Sequence, residues 1–360
     1  MSESGDMGEL DDIDVYRIEA GDSDGADILF DFNGQRIQLS VLPSSPSSQP
    51  DPENINFLED RLIHLLGQAT LTEDMDEYEA ILDQALEPIL EAGRAIFREA
   101  ASRNTTSASQ EPSEQLDLHS LLYPPTLTFR LKTIATKVSI VAIQASETFT
   151  NFEPTPDYGI EQDLDIDDSL PRHSSKDIAV LEPFVRGSSS TVSRVLVQGR
   201  EMVCRAQKQG LLDPTLEQEL VALQKIRHAR QSGHLPTSVH VAQLLGYVTH
   251  AETGHIIGLL RDWVSGRSLS KIATDETPAR TRQKWALQIR QTVKQLHDIG
   301  VVWGDGKASN IVVDNEDEIW LIDFGGGWTD GWVDEALAGT VDGDEQAVEK
   351  ITEFLRYKGQ

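Results

Sequence analysis

The sequence predicts an α+β chain with two structured parts, and three observations carry that prediction. Alternating apolar residues flank an Asn33-Gly34 pair. Amphipathic helical spacing runs through residues 55–97 and returns at 282–298. Near the C-terminus an Asp, a Lys and an Asn lie between two apolar runs, in Val301-Val302-Trp303-Gly304-Asp305-Gly306-Lys307-Ala308-Ser309-Asn310-Ile311-Val312-Val313. Ile319-Trp320-Leu321-Ile322 and then Asp323-Phe324-Gly325 follow.

Composition sets the outer limits. A chain of 360 residues suggests two or three domains and is long enough for a sizeable core. A formal net charge of −29 argues against nucleic acid, which needs clustered Lys and Arg, and against anionic membrane surfaces. The single cysteine, Cys204, excludes an intramolecular disulfide framework and a multi-Cys zinc site. Met1-Ser2-Glu3-Ser4-Gly5-Asp6 is acidic and polar, the opposite of a signal peptide, and no apolar run approaches membrane-spanning length. The expectation is an intracellular protein, cytoplasmic or nuclear, with no nucleic-acid or membrane partner.

Residues 1–25 are rich in Asp, Glu, Gly and Ser and predict a disordered acidic tail. Residues 26–150 predict a small α+β module of unreadable function. It opens with a hairpin, because Ile28, Phe30 and Phe32 alternate before Asn33-Gly34 and Ile37, Leu39 and Val41 alternate after it. Pro43 to Pro52 reads as a Ser/Pro linker. Ile55 to Gln68 has a broad apolar face, and a second helix, capped by Thr72 and kinked at Pro88, carries Ile81, Leu82, Ala85, Leu86, Ile89, Leu90 and Phe97. Residues 101–115 read as a loop. Leu127, Phe129 and Leu131 alternate like a strand, and Val138 to Ile143 reads as a buried strand or short helix. Residues 151–176, acidic and proline-bearing, read as a linker, leaving 177–360 as a second domain.

Within 177–360, Ile178 to Val185 and Val195 to Val197 predict two strands around the turn Arg186-Gly187-Ser188-Ser189-Ser190-Thr191-Val192. Met202 to Ala206 predicts a third strand, Pro214 to Arg227 a helix, and Val241 to Val248 and Ile256 to Leu260 two more strands. The stripe Trp285, Ile289, Val293 and Leu296 marks a helix that Gly300 terminates.

The segments at 301–313 and 319–325 resemble the catalytic loop and DFG segment of the protein kinase superfamily. The resemblance implies a bilobal protein kinase-like fold with a truncated C-lobe, preceded by the small α+β module. It implies ATP and Mg²⁺ as cofactors, and a protein substrate or partner of unknown identity. Asp305 would accept or orient the substrate hydroxyl's proton, and Lys307 would neutralise the γ-phosphate. Asn310 and Asp323 would hold Mg²⁺. Registered on Val192, the glycine-rich loop keeps only its middle glycine as Gly187, beside Ser188. Arg205 stands where the family places its third-strand Lys, with Lys208 as the other choice. Glu219 fits the paired glutamate, with Glu217 as the other choice. Asp262-Trp263-Val264 would be the hinge that meets adenine, and His297 reads as structural.

Several departures accompany the likeness. Trp303-Gly304-Asp305 replaces His-Arg-Asp, so Trp303 would pack under Phe324 and the Arg that receives an activation-loop phosphate is missing. Gly325-Gly326-Gly327 predicts a flexible segment, and Gly339-Thr340 resembles the end of an activation segment, with Asp344 capping the next helix. The family continues with further substrate-binding helices. This pattern is similar to short kinase-like proteins of filamentous fungi. The expected function is an ATP-dependent phosphotransferase acting on protein Ser/Thr. A pseudokinase acting as nucleotide-binding or interaction scaffold is the first alternative, and a small-molecule kinase the second.

Overall fold

The computed structural model describes residues 11–44, 57–72, 74–107, 116–134, 137–150, 159–162, 164–186, 190–208, 213–272 and 276–357, which divide into two units. A strand, β1 (Ile13–Ala20), forms where composition predicts a disordered tail. It pairs antiparallel with β2 (Ala26–Phe32), and a bulge between Val15 and Arg17 shifts its register. That bulge breaks the period-two alternation, so Ile13 and Val15 fall out of phase with Ile18 and Ala20 and the strand is hidden in the sequence. Asn33 and Gly34 take φ of 50° and 79°, the left-handed pair a two-residue hairpin needs, and join β2 to β3 (Gln35–Val41) as expected.

Helices α1 (Leu58–Ala69) and α2 (Met75–Ser107) follow, and β3 then pairs in parallel with β4 (Leu127–Ile134). A parallel neighbour requires such a crossover. The edge strand β5 (Lys137–Ala142) completes the order β1-β2-β3-β4-β5, resolving residues 138–142 as strand. Helix α2 is capped by Asp74 rather than Thr72: Asp74 Oδ1 accepts from Glu77 N at 2.9 Å, while the Thr72 hydroxyl donates to Glu77 Oε2. It continues through Pro88 and reaches Ser107, so helix replaces loop over 101–107; 108–115 and most of the Ser/Pro linker lie outside the described residues.

The sheet's apolar face buries Ile28, Phe30, Phe32, Ile37 and Leu39 against Leu62, Leu66, Ile89 and Phe97. Phe97 lies 5.6 Å from the rings of both Phe30 and Phe32 and 5.7 Å from Phe129. Aromatic pairs at such distances add to area burial. Asp27, on the other face, is fully buried and accepts from Gln38, Ser40 and the backbone and hydroxyl of Thr150, which satisfies its charge.

The second unit includes residues 115–122 and 155–360, so two expected boundaries shift. A short helix, α3 (Leu118–Leu122), belongs here: Leu118 N donates to Ile178 O at 2.8 Å, and Val180 N to Leu116 O at 2.7 Å. The expected linker 151–176 contributes β6 (Arg172–Ser174) and the buried residues Ile160 and Leu170. Strand β6 joins β7 (Ala179–Arg186), β8 (Ser190–Val197), β9 (Arg200–Gln207), β10 (Leu244–Thr249) and β11 (Ile256–Asp262) in the order β6-β10-β11-β9-β8-β7. Helix α4 (Pro214–Gln231) intervenes after β9, where the sequence places it. A three-stranded sheet, β12 (Gly266–Ser268), β13 (Ile311–Asp314) and β14 (Ile319–Leu321), accompanies α5 (Ala279–Asp298) and α6 (Val341–Tyr357). One core joins Leu220, Leu223 and Tyr247 to Trp303, Phe324 and the inward stripe of α5. Cys204 is fully buried on β9, and burial pushes its thiol pKa up.

Phe97→Ala should lower the stability of the first unit by about 3–5 kcal/mol. Chemical denaturation followed by far-ultraviolet circular dichroism measures this, and an unmoved midpoint would contradict the packing role of Phe97.

Candidate active site

Two side-chain clusters meet where β9, α4 and the 301–329 segment converge. The first surrounds Glu219. Strand alternation puts Val203 and Arg205 on one face of β9 and sends Cys204 to the other. Asp213 caps α4 and Pro214 takes its first turn, which fixes the start of the helix that carries Glu219. Arg205 Nη1 lies 3.0 Å from Glu219 Oε2, and Nη2 lies 3.1 Å from Asp213 Oδ2 and also meets the Thr215 hydroxyl. Asp323 Oδ1 is 3.8 Å away. Arg261, near the end of β11, approaches from the other side, its Nε 3.0 Å from Glu219 Oε1. The glutamate is 1% exposed and sits between two guanidinium groups.

The electrostatics follow from that packing. Burial disfavours the charge on Arg205, yet Glu219 and Asp213 outweigh it and hold its pKa above the ordinary value. Burial pushes the Asp213 carboxyl up, but hydrogen bonds from Ser190 and Thr215 and the charge of Arg205 bring it below the usual range. Asp323 goes the other way. Burial and the neighbouring Glu219 charge raise it, against Arg205 and Arg261. Its backbone sits at φ 65°, left-handed for a non-glycine residue.

The second cluster is the loop after α5. Gly300, at φ 71°, ends the helix as its position suggests. Asp344 on α6 then accepts from Trp303 N at 2.7 Å and Gly304 N at 2.8 Å, and pairs with His297 Nε2 at 2.7 Å. So His297 is structural, as read. Asp344 is not the cap of α6; the Thr340 hydroxyl accepts from Gly343 N at 3.0 Å and fills that place. Trp303 is buried in the core with Phe324 and donates through Nε1 to Ile322 O at 3.0 Å. Gly304 has φ 95°, and a Cβ there would meet Gly326 Cα at 2.8 Å. A Cβ on Gly325 would meet Arg205 Nη1 at 2.6 Å and Thr215 O at 2.8 Å. At Gly325, then, the glycine serves close approach rather than looseness.

Asn310 Nδ2 donates to Asp305 O at 2.9 Å, and Ile322 N donates to Asn310 O at 3.1 Å, which ties the loop to the segment leading into Asp323. Lys307 contacts Asp305 Oδ2. The Thr329 hydroxyl donates to Asp305 Oδ1 at 2.8 Å and accepts from Lys307 Nζ at 2.8 Å.

A cleft of about 630 Å³ opens beside these clusters. Its apolar walls include Val192, Val203, Val264, Val312 and Ile322, and its polar end holds Arg205, Glu219, Arg261 and Asp323. Phe184 stacks on Trp263 at 5.5 Å among the lining residues, with the Arg194 guanidinium 5.0 Å from the Trp263 ring. Val192, Arg205, Glu219, Val264 and Asp323 thus line one cleft, whereas Asp305, Lys307 and Asn310 are not among its lining residues. The Asp262 carboxylate instead engages Arg200 at 2.7 Å and Gln243 N at 3.0 Å. Gly187 and Ser188 lie outside the described residues. Arg205 and Glu219, the first choice at each position, form an ion pair.

Sequence reading missed four contributors. Asp213 was legible, since Asp-Pro before a helical pattern is a capping signal. Arg261 could have been noticed as a charge closing an apolar strand. Thr329 and Asp344 act through tertiary contacts that leave no local pattern.

Among the described residues no group of three His, Cys, Asp or Glu could hold a metal alone. Asp323 and Asn310 offer one carboxylate and one amide, which fits Mg²⁺ when substrate phosphates complete its shell.

Glu219→Ala should destabilise the second unit by about 3–5 kcal/mol, because two buried guanidinium groups lose their shared partner; thermal or urea unfolding reads it. Asp323→Asn, in metal-free protein, should melt higher than wild type at neutral pH. The raised pKa means the ionised carboxylate is disfavoured in the fold; its contribution is fully present below the unfolded value of about 3.9 and is lost as pH rises through the folded value. The melting difference should therefore shrink on acidification, and a difference that grows would reverse the sign of this assignment.

Residues 185–328 match the protein kinase domain family. Curated relatives are remote. The dual specificity protein kinase zakA of Dictyostelium discoideum is 23% identical over 132 residues, covering 35% of this chain and 17% of that protein. The KEOPS complex subunit Bud32 of Pyrococcus abyssi is 26% identical over 103 residues, covering 29% of this chain and 46% of that protein. The chain thus spans less than half the length of either relative. The C-terminal part of this chain is a protein kinase-like domain.

Proposed function

We propose that the protein transfers the γ-phosphate of a nucleoside triphosphate, ATP in the sequence reading, to Ser/Thr hydroxyls of a protein, with Mg²⁺. One observation carries this reading: Asp305, Lys307 and Asn310 are held on one loop that is hydrogen-bonded to the segment leading into Asp323. Asp305 already accepts a hydroxyl hydrogen bond, from Thr329, which is the contact an incoming substrate hydroxyl would require. Lys307 would meet negative charge developing on the transferred group. The metal, through Asn310 and Asp323, would neutralise phosphate oxygens. Transfer of this kind depends on positioning and charge compensation rather than on covalent help from the protein.

A second reading, a nucleotide-binding or nucleotide-free scaffold, is favoured by Arg205. Its two terminal nitrogens are engaged by Glu219, Asp213 and Thr215. A planar fork held this way offers phosphates less than a mobile lysine would.

Phosphate transfer from radiolabelled nucleotide separates these readings. Wild type should label itself or a generic protein substrate, and Asp305→Ala should lose about 10²–10⁴-fold of that rate while still binding nucleotide. Binding without transfer in the wild type, across protein and small-alcohol acceptors, would favour the scaffold. Asp323→Asn should abolish any Mg²⁺-dependent nucleotide stabilisation, which at 100 times the dissociation constant amounts to about 2.7 kcal/mol. A retained shift would refute the metal assignment.

A further inference from the structure

Arg261 is a nearly buried charge in the wall of the cleft. Its side chain is 9% exposed, and its Nε, though 3.0 Å from Glu219 Oε1, makes no hydrogen bond; Glu219 Oε1 is likewise without one. Arg205 also has a buried Nε without a hydrogen bond, but its terminal nitrogens are held by Glu219, Asp213 and Thr215. A buried guanidinium donor without a hydrogen bond is costly, and the group gains from an acceptor placed beside it.

Strand register shows where such an acceptor would sit. Arg261 pairs directly with Val203, one of the apolar walls, while Leu259 pairs with Arg205. Three residues further along, Val264 lines the apolar part of the cleft with Val192, Val312 and Ile322. Arg261 therefore stands between the apolar slot, suited to a flat ring, and the ion cluster that marks the phosphate end. A ring in that slot presents one edge to the guanidinium.

The two common purines differ at that edge. Guanine carries a 6-oxo acceptor beside the N7 acceptor, the pair that an arginine fork bonds in bidentate fashion, whereas adenine carries an amino donor at the 6-position. Donor would face donor with adenine. Resting on the nucleotide-binding reading above, we propose that Arg261 sets base specificity and that the cleft takes a 6-oxopurine nucleotide, GTP or ITP, in preference to ATP.

Titration calorimetry of the full chain with Mg²⁺ and GTP, ITP or ATP tests this. GTP and ITP should bind at least about five-fold more tightly than ATP, since a good bidentate contact discriminates by that much or more. ITP lacks the 2-amino group, so its agreement with GTP assigns the effect to the 6-position. Arg261→Leu should remove the preference, so that GTP, ITP and ATP bind alike, and Arg261→Lys should retain part of it; circular dichroism and melting curves confirm that each variant is folded. Equal or tighter binding of ATP by the wild type would overturn the specificity while sparing the nucleotide site. A preference that survives in folded Arg261→Leu would overturn the role of Arg261. Failure of all three nucleotides to bind would overturn both readings.

Discussion

The Asp344 carboxylate is the constraint on which the catalytic loop depends. From α6 it takes two successive backbone N–H groups, of Trp303 and Gly304, and with its Oδ2 it also holds His297 at the end of α5. Two helices and a loop are fastened at one 1% exposed side chain. With the loop fixed there, Trp303 can pack beside Phe324 and bond Ile322 O, and Asn310 can brace Asp305 from behind. The reactive groups are thus presented by backbone whose polar groups are spoken for, as a site relying on positioning needs.

The ion cluster around Glu219 works on the opposite principle. Hydrogen-bonding capacity around Asp344 is consumed, whereas Glu219 meets two cations and satisfies them unequally. Arg205 is tied by three partners and joins β9 to the first turn of α4. Arg261 remains under-bonded in the wall of the cleft. Buried ion pairs seldom add net stability over apolar packing, so a cluster of this kind is better understood as a device for orientation.

Much of the second unit was legible because its signals are local. Asp305, Lys307, Asn310 and Asp323 lie within nineteen residues of one another. The helix stripe Trp285, Ile289, Val293 and Leu296 reports its own buried face, and Asn33-Gly34 dictates its own turn. What stayed hidden is non-local. Strand β1 is masked by a bulge, and β6 exists because β10 offers it an edge. The segment at 115–122 joins the second unit through backbone bonds to residues some sixty positions away, which no composition window can see. Asp344 looked like a helix cap because caps favour that residue type, and only the folded chain shows the carboxylate turned inward.

Cys204 adjoins the most heavily engaged cation of the site yet belongs to a different environment. Strand alternation points Arg205 toward the cleft and buries the thiol in the sheet's other face, where its proton is held firmly. Proximity in sequence to a guanidinium would ordinarily suggest an activated thiolate, but here the side chains are back to back. The chain's sole cysteine is therefore a silent probe. Alkylating reagents would modify it only when the six-stranded sheet opens, so labelling kinetics would clock the breathing of that sheet without any engineered reporter.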